Sequence, residues 1–103
     1  MYLTVFITAP DKESGKRVAR HLLEKRLAAC VNITPVSSMY WWEGKLEESD
    51  EVLLIAKTTT DKLEELVKEA KAVHPYQVPE IIAVPIVGGY KEYLGWVEKE
   101  THA

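Results

Sequence analysis

Few side chains of this sequence are suited to chemistry, and the first of them is Cys30. It is the only thiol among 103 residues, and it lies in an apolar stretch that predicts a β-strand. A lone cysteine on such a strand is commonly a small core residue. Because strand residues alternate between two faces, Cys30 shares its face with the polar Asn32 and Thr34, which favours a lined cleft. Both interpretations stay open.

His74 begins a second candidate segment, HPYQVPE (74–80). Two prolines restrict its backbone, Tyr76 supplies a phenolic hydroxyl, and Glu80 opens the next strand. Rigid loops of this kind often present side chains for binding. His74 can act there as a metal ligand or polar anchor, or it can stabilise the C-terminus of the preceding helix through the helix dipole.

Lys57 is a charged residue inside an apolar strand, so it needs either a partner, which Glu51 or Glu80 could supply, or a position at an edge. A thiol, an imidazole and a carboxylate can together hold a soft transition metal. The sequence has no HExxH, no CxxC, no glycine-rich phosphate loop and no local Cys–His signature. No known catalytic constellation is therefore present.

Hydrophobic periodicity predicts six elements and a terminal helix, in the order βαββαβ followed by α. Asp11 is the predicted N-cap of the first helix. Asp61 and Glu64 have the spacing of a capping box for the second helix, which should end at His74 because Pro75 follows. The predicted elements are strand 2–9, helix 12–27, strands 28–42 and 45–60, the helix between the capping box and His74, strand 80–87 and helix 90–99.

The prolines and the apolar patterning together predict the topology. Proline removes a hydrogen-bond donor, so Pro35 and Pro85 place strands two and four at the sheet edges, with a break at Pro35. The first strand is apolar on both faces and should be central. Two right-handed crossovers in this order give an antiparallel sheet with both main helices on one face. We predict an α+β, ferredoxin-like βαββαβ sandwich, a single domain over residues 1–103.

The hairpin between strands two and three is too long for a monomer of this kind. Strands average about 5–6 residues, whereas each arm around Glu43–Gly44 spans 15 or 16 residues. Its tip carries Tyr40, Trp41 and Trp42. These aromatics either fill the core of the monomer or contact other subunits. We favour the second interpretation and predict a closed homo-oligomer.

Composition excludes several classes of protein. The net charge of -3 and the acidic pI of about 5.6 disfavour a nucleic-acid-binding role. One cysteine cannot form an internal disulfide. No apolar run approaches the roughly 20 residues of a membrane helix, and the N-terminus lacks the pattern of a secretory signal. We therefore expect a cytoplasmic protein that binds neither nucleic acid nor membrane.

Five segments of the sequence resemble the CutA family of divalent-cation tolerance proteins, in order and at the family spacing. Similarity extends over nearly the whole chain and includes TAPD (8–11) after the first strand. The segments are RLAACVN (26–32), SMYWWEG (38–44), Glu51 with LLIAKT (53–58), HPYQVPEI (74–81) and YLGW (93–96).

This resemblance implies a ferredoxin-like fold that forms homotrimers through long β-hairpins, in a PII-like assembly. It also implies tolerance of copper and other divalent metals, with no enzymatic reaction. Copper binding in the family is attributed to Cys and His residues, which correspond here to Cys30 and His74. The family's intersubunit cleft corresponds to Asn32, Tyr40, Trp42, Lys57, Tyr76 and Glu80.

Two departures from the family pattern reduce the number of metal ligands. Some members carry a cysteine at the position of Ile7 and a histidine at the position of Val73. The resulting hypothesis is a cytoplasmic, homotrimeric copper-binding protein whose ligands are Cys30, His74 and, as an oxygen ligand, Glu80.

Two alternatives to this hypothesis follow from the same residues. In one, a regulatory module binds a small anionic metabolite between subunits, with Lys57 as the cation and Tyr76 and Glu80 as hydrogen-bonding groups. In the other, a structural trimer anchors a partner protein.

Overall fold

The computed structural model describes all 103 residues as a four-stranded antiparallel sheet with three helices. The strand order is β2-β3-β1-β4, which is the predicted α+β, ferredoxin-like arrangement with β1 inside and the proline-bearing strands β2 and β4 at the edges. No helix has both the length and the apolar character needed to span a membrane. The elements are β1 (Tyr2–Ala9), α1 (Lys12–Glu24), β2 (Cys30–Trp42), β3 (Lys45–Thr59), a 3-10 turn (Thr60–Lys62), α2 (Leu63–Val73), β4 (Ile81–Ile86) and α3 (Lys91–Thr101).

Alternation along the two central strands builds the core on one face of the sheet. Every second residue of β1 and of the C-terminal half of β3 is buried there, together with one stripe of α1 and α2. Gly15 lets α1 approach the sheet closely, since a Cβ at this position would lie 2.9 Å from Cγ2 of Val52. The core residues of the strands are Leu3, Val5, Ile7, Ala9, Val52, Leu54 and Ala56, and those of the helices include Val18, Leu22, Leu66 and Ala70.

Two helix ends agree with prediction, the N-terminus of α1 and the C-terminus of α2, which ends at Val73 with His74 as its C-cap. The Asp11 carboxylate caps α1 by accepting from the backbone N–H of Ser14 at 2.7 Å. The helix ends at Glu24 instead of residue 27, because Arg26 adopts a left-handed φ of 60° and the N–H of Leu27 bonds to the carbonyl of Leu22, as in a Schellman motif.

The predicted capping box at Asp61 is wrong. The chain makes a 3-10 turn there before α2 begins at Leu63, and no side chain caps that helix. The two carboxylate oxygens of Asp61 bond instead to Thr59 Oγ1 (2.6 Å) and His102 Nε2 (2.8 Å). These bonds attach the end of α3 to the turn after β3.

The β2–β3 hairpin extends well beyond the sheet. The last hairpin residue that pairs with β1 is Val52, opposite Ala9. Beyond it, seven further β2–β3 residue pairs continue from Val36–Glu51 to Trp42–Lys45. We call residues 36–51 the ribbon; at about 3.3 Å per residue it projects roughly 23 Å. Glu43 and Gly44 close it with φ angles of 51° and 78°, as a two-residue hairpin turn of type I′ requires.

Pro35 does not break β2, contrary to expectation. It pairs with Val52 within an uninterrupted strand. This is possible because β2 lies at the sheet edge, where a missing N–H donor need not remove a bond to a neighbouring strand.

The second face of the sheet is only partly covered. Helix α3 contacts β3, and Tyr93 of α3 reaches Cys30, whose side chain points away from α1 and α2. The rest of this face carries Phe6 and Ile55, which are half-buried, and Ile82 and Val84, which are exposed. An apolar sheet face is therefore left open in the single chain.

Candidate functional site

An open groove of about 800 Å³ lies between the ribbon and the loop 74–80. It exists because the ribbon projects past the end of β1 while the loop passes beside it. Four of the predicted cleft residues meet here. The lining consists of Thr8, Ser37, Ser38, Met39, Tyr40, Trp41, Trp42, Glu51, Tyr76, Gln77, Val78 and Glu80.

His74 holds the loop in place through both of its ring nitrogens. The side chain is buried. Nε2 lies 2.7 Å from the carbonyl oxygen of Thr8, and Nδ1 lies 3.0 Å from the backbone nitrogen of Tyr76. Because a carbonyl can only accept and an amide N–H can only donate, Nε2 carries the proton and Nδ1 accepts. This geometry makes His74 a polar anchor, with neither nitrogen free to bind a metal in this conformation.

Tyr76 extends the network to a buried carboxylate at the base of the ribbon. Its hydroxyl donates to Oε2 of Glu51 at 2.6 Å, and Glu51 is only 8% exposed. Burial, together with this hydrogen bond, raises the pKa of Tyr76 well above its ordinary value. The phenol is therefore a fixed donor at neutral pH.

Glu51 is the groove residue that the sequence analysis treated only as a possible partner of Lys57. The structure corrects this, since neither Glu51 nor Glu80 pairs with Lys57. The sequence alone could have excluded a Glu51–Lys57 pair. The two residues lie on the same face of β3 by strand alternation, six residues apart, which is too far for an ion pair. What could not be read from the sequence was the approach of Tyr76 to that face.

Cys30 belongs to a second polar cluster, at the other end of β2. Nζ of Lys57 donates to Oδ1 of Asn32 and to the carbonyl of Ile55 at 3.5 Å. The thiol of Cys30 contacts the same Asn32 oxygen at 3.9 Å. Burial and the neighbouring Cys30 side chain raise the pKa of Tyr93 above its ordinary value.

Within one chain, the predicted metal ligands Cys30, His74 and Glu80 do not come together. Cys30 lies opposite Lys57, which pairs with Thr4, whereas His74 bonds to Thr8. Four residues along a strand correspond to about 13 Å. No three His, Cys, Asp or Glu side chains of the chain form a group able to hold a metal ion.

The predicted cleft residues also lie in two separate places within one chain. Tyr40, Trp42, Tyr76 and Glu80 line the groove, and Asn32 and Lys57 lie in the cluster with Cys30. A site that combines the two sets would need a second copy of the chain.

Comparison with known proteins identifies the family. Residues 3–100 match the family described as "CutA1 divalent ion tolerance protein". The "Divalent-cation tolerance protein CutA" of Archaeoglobus fulgidus is 48% identical over 99 residues, which cover 96% of this chain and 97% of that protein. The Thermus thermophilus protein of the same name is 49% identical over 98 residues, covering 94% and 95%.

The solved structures agree with the sequences. The structure titled "Periplasmic divalent cation tolerance protein CutA" from A. fulgidus superposes with a TM-score of 0.96 at 48% identity and covers 98% of this chain and 99% of that one. The T. thermophilus structure has a TM-score of 0.94 at 48% identity, with coverages of 97% and 98%.

The names of the relatives point to more than one compartment. A 49% identical rice protein, of which this chain covers 56%, is called chloroplastic, and the A. fulgidus structure is titled periplasmic. The cytoplasmic location stays a prediction. Fold, sequence and the order of the motifs agree, and the chain belongs to the CutA1 family of divalent-ion tolerance proteins.

Proposed function

We propose that this chain acts in divalent-cation tolerance as a PII-like homotrimer that binds copper and catalyses no reaction. The observation that carries the trimer is the ribbon, because a single chain leaves its apolar side chains in water. Trp41 is 73% exposed, and Glu51 is the only buried residue among the ribbon's sixteen. A two-stranded ribbon is marginally stable in water on its own, so contact with other copies would stabilise it.

Two further features support assembly from copies of the chain. The sheet face that carries Ile82 and Val84 is apolar and exposed. Both edges of the sheet, β2 and β4, are unpaired and are therefore available for strand pairing between subunits. A closed trimer would cover such edges and faces.

The metal would be bound where two copies meet. Thiolate suits Cu(I) and imidazole suits Cu(II), so Cys30 is the first ligand we propose, with His74 and Glu80 completing the set from a neighbouring copy. His74 can contribute only after releasing the hydrogen bond at one ring nitrogen. For this reason copper binding and loosening of the loop 74–80 should occur together.

Calorimetric titration with copper tests the ligand set. Cys30→Ser should lower the affinity most, and His74→Gln should lower it less, while retaining a side chain able to donate to Thr8. Equal affinity in the wild type and both variants would remove the assigned site. A stable monomer at micromolar concentration in sedimentation would overturn the trimer.

The anionic-metabolite alternative also requires a second copy of the chain. Its cation, Lys57, donates to Asn32 and lies outside the groove that holds Tyr76 and Glu80, so a neighbouring copy would have to bring the two together. The third hypothesis, a trimer that only anchors a partner protein, predicts that copper changes neither the heat of titration nor the melting curve.

A further inference from the structure

Basic residues are concentrated on one helix of an otherwise acidic chain. Residues 12–26, which comprise α1 and the turn after it, carry six of the thirteen Lys and Arg residues but only two of the sixteen Asp and Glu residues. The remainder of the chain therefore has twice as many acidic as basic side chains. A charge asymmetry of this kind is typical of a surface that attracts an anionic partner.

Three of these cations, Lys16, Arg17 and Arg20, lie close together on the outer side of α1, and we call them the basic cluster. All three are exposed, and none takes part in an ion pair. They line an open cleft of about 430 Å³ between α1 and Val73 at the end of α2. The cluster is therefore accessible, and its charge is unpaired within the chain.

The cations on the outer side of α1 serve neither ion pairing nor helix stability. Lys25 and Arg26, farther along the segment, form ion pairs with acids of α2 and α3. Lys12, Lys16 and Arg20 instead follow one another at four-residue intervals, a spacing at which like charges destabilise a helix. Lys12 also lies in the first turn, where the helix dipole disfavours a cation. Departures from local rules without a compensating contact are expected at functional surfaces.

The basic cluster also stays exposed in the proposed trimer. Helix α1 packs on the sheet face that carries the core. The parts available for assembly are the ribbon, the two strand edges and the opposite sheet face. A trimer assembled through those parts would present three copies of the cluster on its outside, so binding to the cluster is compatible with assembly through the ribbon.

Two acids set the length of the anion that fits the cleft. Glu13 and Glu24 line it on either side of the cluster, and neither forms an ion pair with Arg17 or Arg20. They are eleven residues apart on α1, which is about 16 Å along the helix axis and matches roughly five residues of extended chain. A longer anion would meet these carboxylates and the acidic remainder of the surface, which disfavours nucleic acid as the occupant.

The chemistry of the cluster suits carboxylates spaced along an extended peptide. Guanidinium groups bind carboxylates through two parallel hydrogen bonds. Arg17 and Arg20 are three residues apart, so their side chains start about 5–6 Å apart on the helix surface. Alternate residues of an extended chain point the same way and lie roughly 6.6 Å apart. The one apolar residue of the cleft, Val73, is half-buried, so the surface lacks apolar groups that would insert into a membrane.

We propose that the basic cluster binds a short acidic segment of another protein, extended along α1, whose alternate carboxylates pair with Arg17 and Arg20. Lys16 adds a third positive charge beside this segment. The inference goes beyond the proposed function, because it involves neither the ribbon nor the proposed copper ligands.

The test measures the fluorescence anisotropy of a dye-labelled peptide mixed with the full chain. The probe is the peptide Glu-Ser-Glu-Ser-Glu, blocked at both ends so that its termini carry no charge. The control peptide has Gln in place of each Glu. We expect saturable binding of the Glu peptide that weakens as salt is added, and at least tenfold weaker binding of the Gln peptide.

Two paired substitutions assign the binding to the cluster. Arg17→Gln combined with Arg20→Gln should lower the affinity for the Glu peptide at least tenfold. Lys91→Gln combined with Lys99→Gln removes the same charge from α3, where both lysines are exposed and unpaired, and should change the affinity less than twofold. All four positions are on the surface, and urea unfolding checks that the variants are folded.

A nine-residue peptide of the same alternating pattern tests the length limit. The wild type should bind it no more tightly than the five-residue peptide, whereas Glu13→Gln combined with Glu24→Gln should bind it at least threefold more tightly. A wild type that prefers the longer peptide would be a general polyanion surface, which would overturn the proposed segment.

Other outcomes would also overturn the proposal. These are no saturable binding of the Glu peptide, equal binding of the Gln peptide, or an equal loss of affinity in the α3 variant. A single-stranded oligonucleotide or an anionic lipid vesicle that binds through Arg17 and Arg20 more tightly than the peptide would assign the surface to nucleic acid or membrane instead. Sedimentation and copper titration of the Arg17 and Arg20 variant should match the wild type, so failure of this proposal is distinguishable from failure of the proposed function.

Discussion

Replacing Thr58 by valine should stabilise the protein. Thr58 is completely buried on the helix-covered face of β3, and its Oγ1 is the only buried side-chain polar atom of the chain without a hydrogen-bond partner. Leaving a buried hydroxyl unpaired costs about 1–3 kcal/mol. Valine has nearly the same shape, so Thr58→Val exchanges that hydroxyl for a methyl group without creating a cavity.

The expected gain is about 1–3 kcal/mol in the free energy of unfolding. For a chain of this length, each kcal/mol corresponds to roughly 4–8 °C in Tm. Urea unfolding at one fixed protein concentration is the assay, because the apparent stability of an oligomer depends on concentration. The increase should appear in the urea midpoint with no change in m-value.

Thr59 provides the matched control. It is the next residue, equally buried, but its hydroxyl donates to Asp61 at 2.6 Å. Thr59→Val should therefore lower stability, although the chemical change is identical. If Thr58→Val also lowers stability or leaves it unchanged, the Thr58 hydroxyl has a partner in solution and the reasoning fails.

Three further predictions concern a turn, a packing contact and a pH dependence. Glu43→Asn should raise stability by up to about 1 kcal/mol, because asparagine tolerates the left-handed φ better; an unchanged urea midpoint would count against this. Gly15→Ala should lower stability by up to about 2 kcal/mol, because crowding against Val52 outweighs the gain in helix propensity, and adding Val52→Ala should restore part of the loss. The hydrogen bond to Asp61, helped by a helix carbonyl, raises the pKa of His102 above its ordinary value of 6.5, so its stabilising effect is complete below that pH and is lost as pH rises through the raised pKa. His102→Gln should flatten the fall in Tm as pH rises above 6.5, and identical Tm profiles for variant and wild type would contradict this assignment.

The fold could be predicted because its determinants are local. Alternation in β1 identified a strand with apolar residues on both faces and hence a central position, and Pro35 and Pro85 identified the edges. Each signal acts within a few residues and depends on backbone chemistry that tertiary contacts do not change.

The helix ends and the loop anchor depended on contacts distant in sequence. Asp61 has the local pattern of a capping residue, but His102, 41 residues away, and Thr59 engage its carboxylate. His74 bonds to a main-chain carbonyl 66 residues away, and every residue type has such a carbonyl. No pattern of side chains could have indicated that bond.

One part of the predicted cleft is assembled within a single chain. The resemblance named Tyr40, Trp42, Tyr76 and Glu80, which the fold collects in one groove, and it added Asn32 and Lys57 for a cleft between subunits, which stays a prediction. The sequence does not reveal that the ribbon carries the aromatics away from Lys57, because that separation depends on where β1 stops pairing with β3.

The ribbon also has a consequence for the order of folding. Its two strands are adjacent in sequence, so they can pair within microseconds, before the long-range pairing of β1 with β4. Until other elements pack against it, strand β2 exposes the backbone of thirteen residues, and another extended chain could form β-sheet hydrogen bonds with this edge. Pro35 is the one position on that strand with no N–H to offer. For newly made chains, folding should therefore compete with aggregation, and aggregation should increase with concentration. Pro35 should slow aggregation, because it removes one hydrogen-bond donor from the open edge of β2.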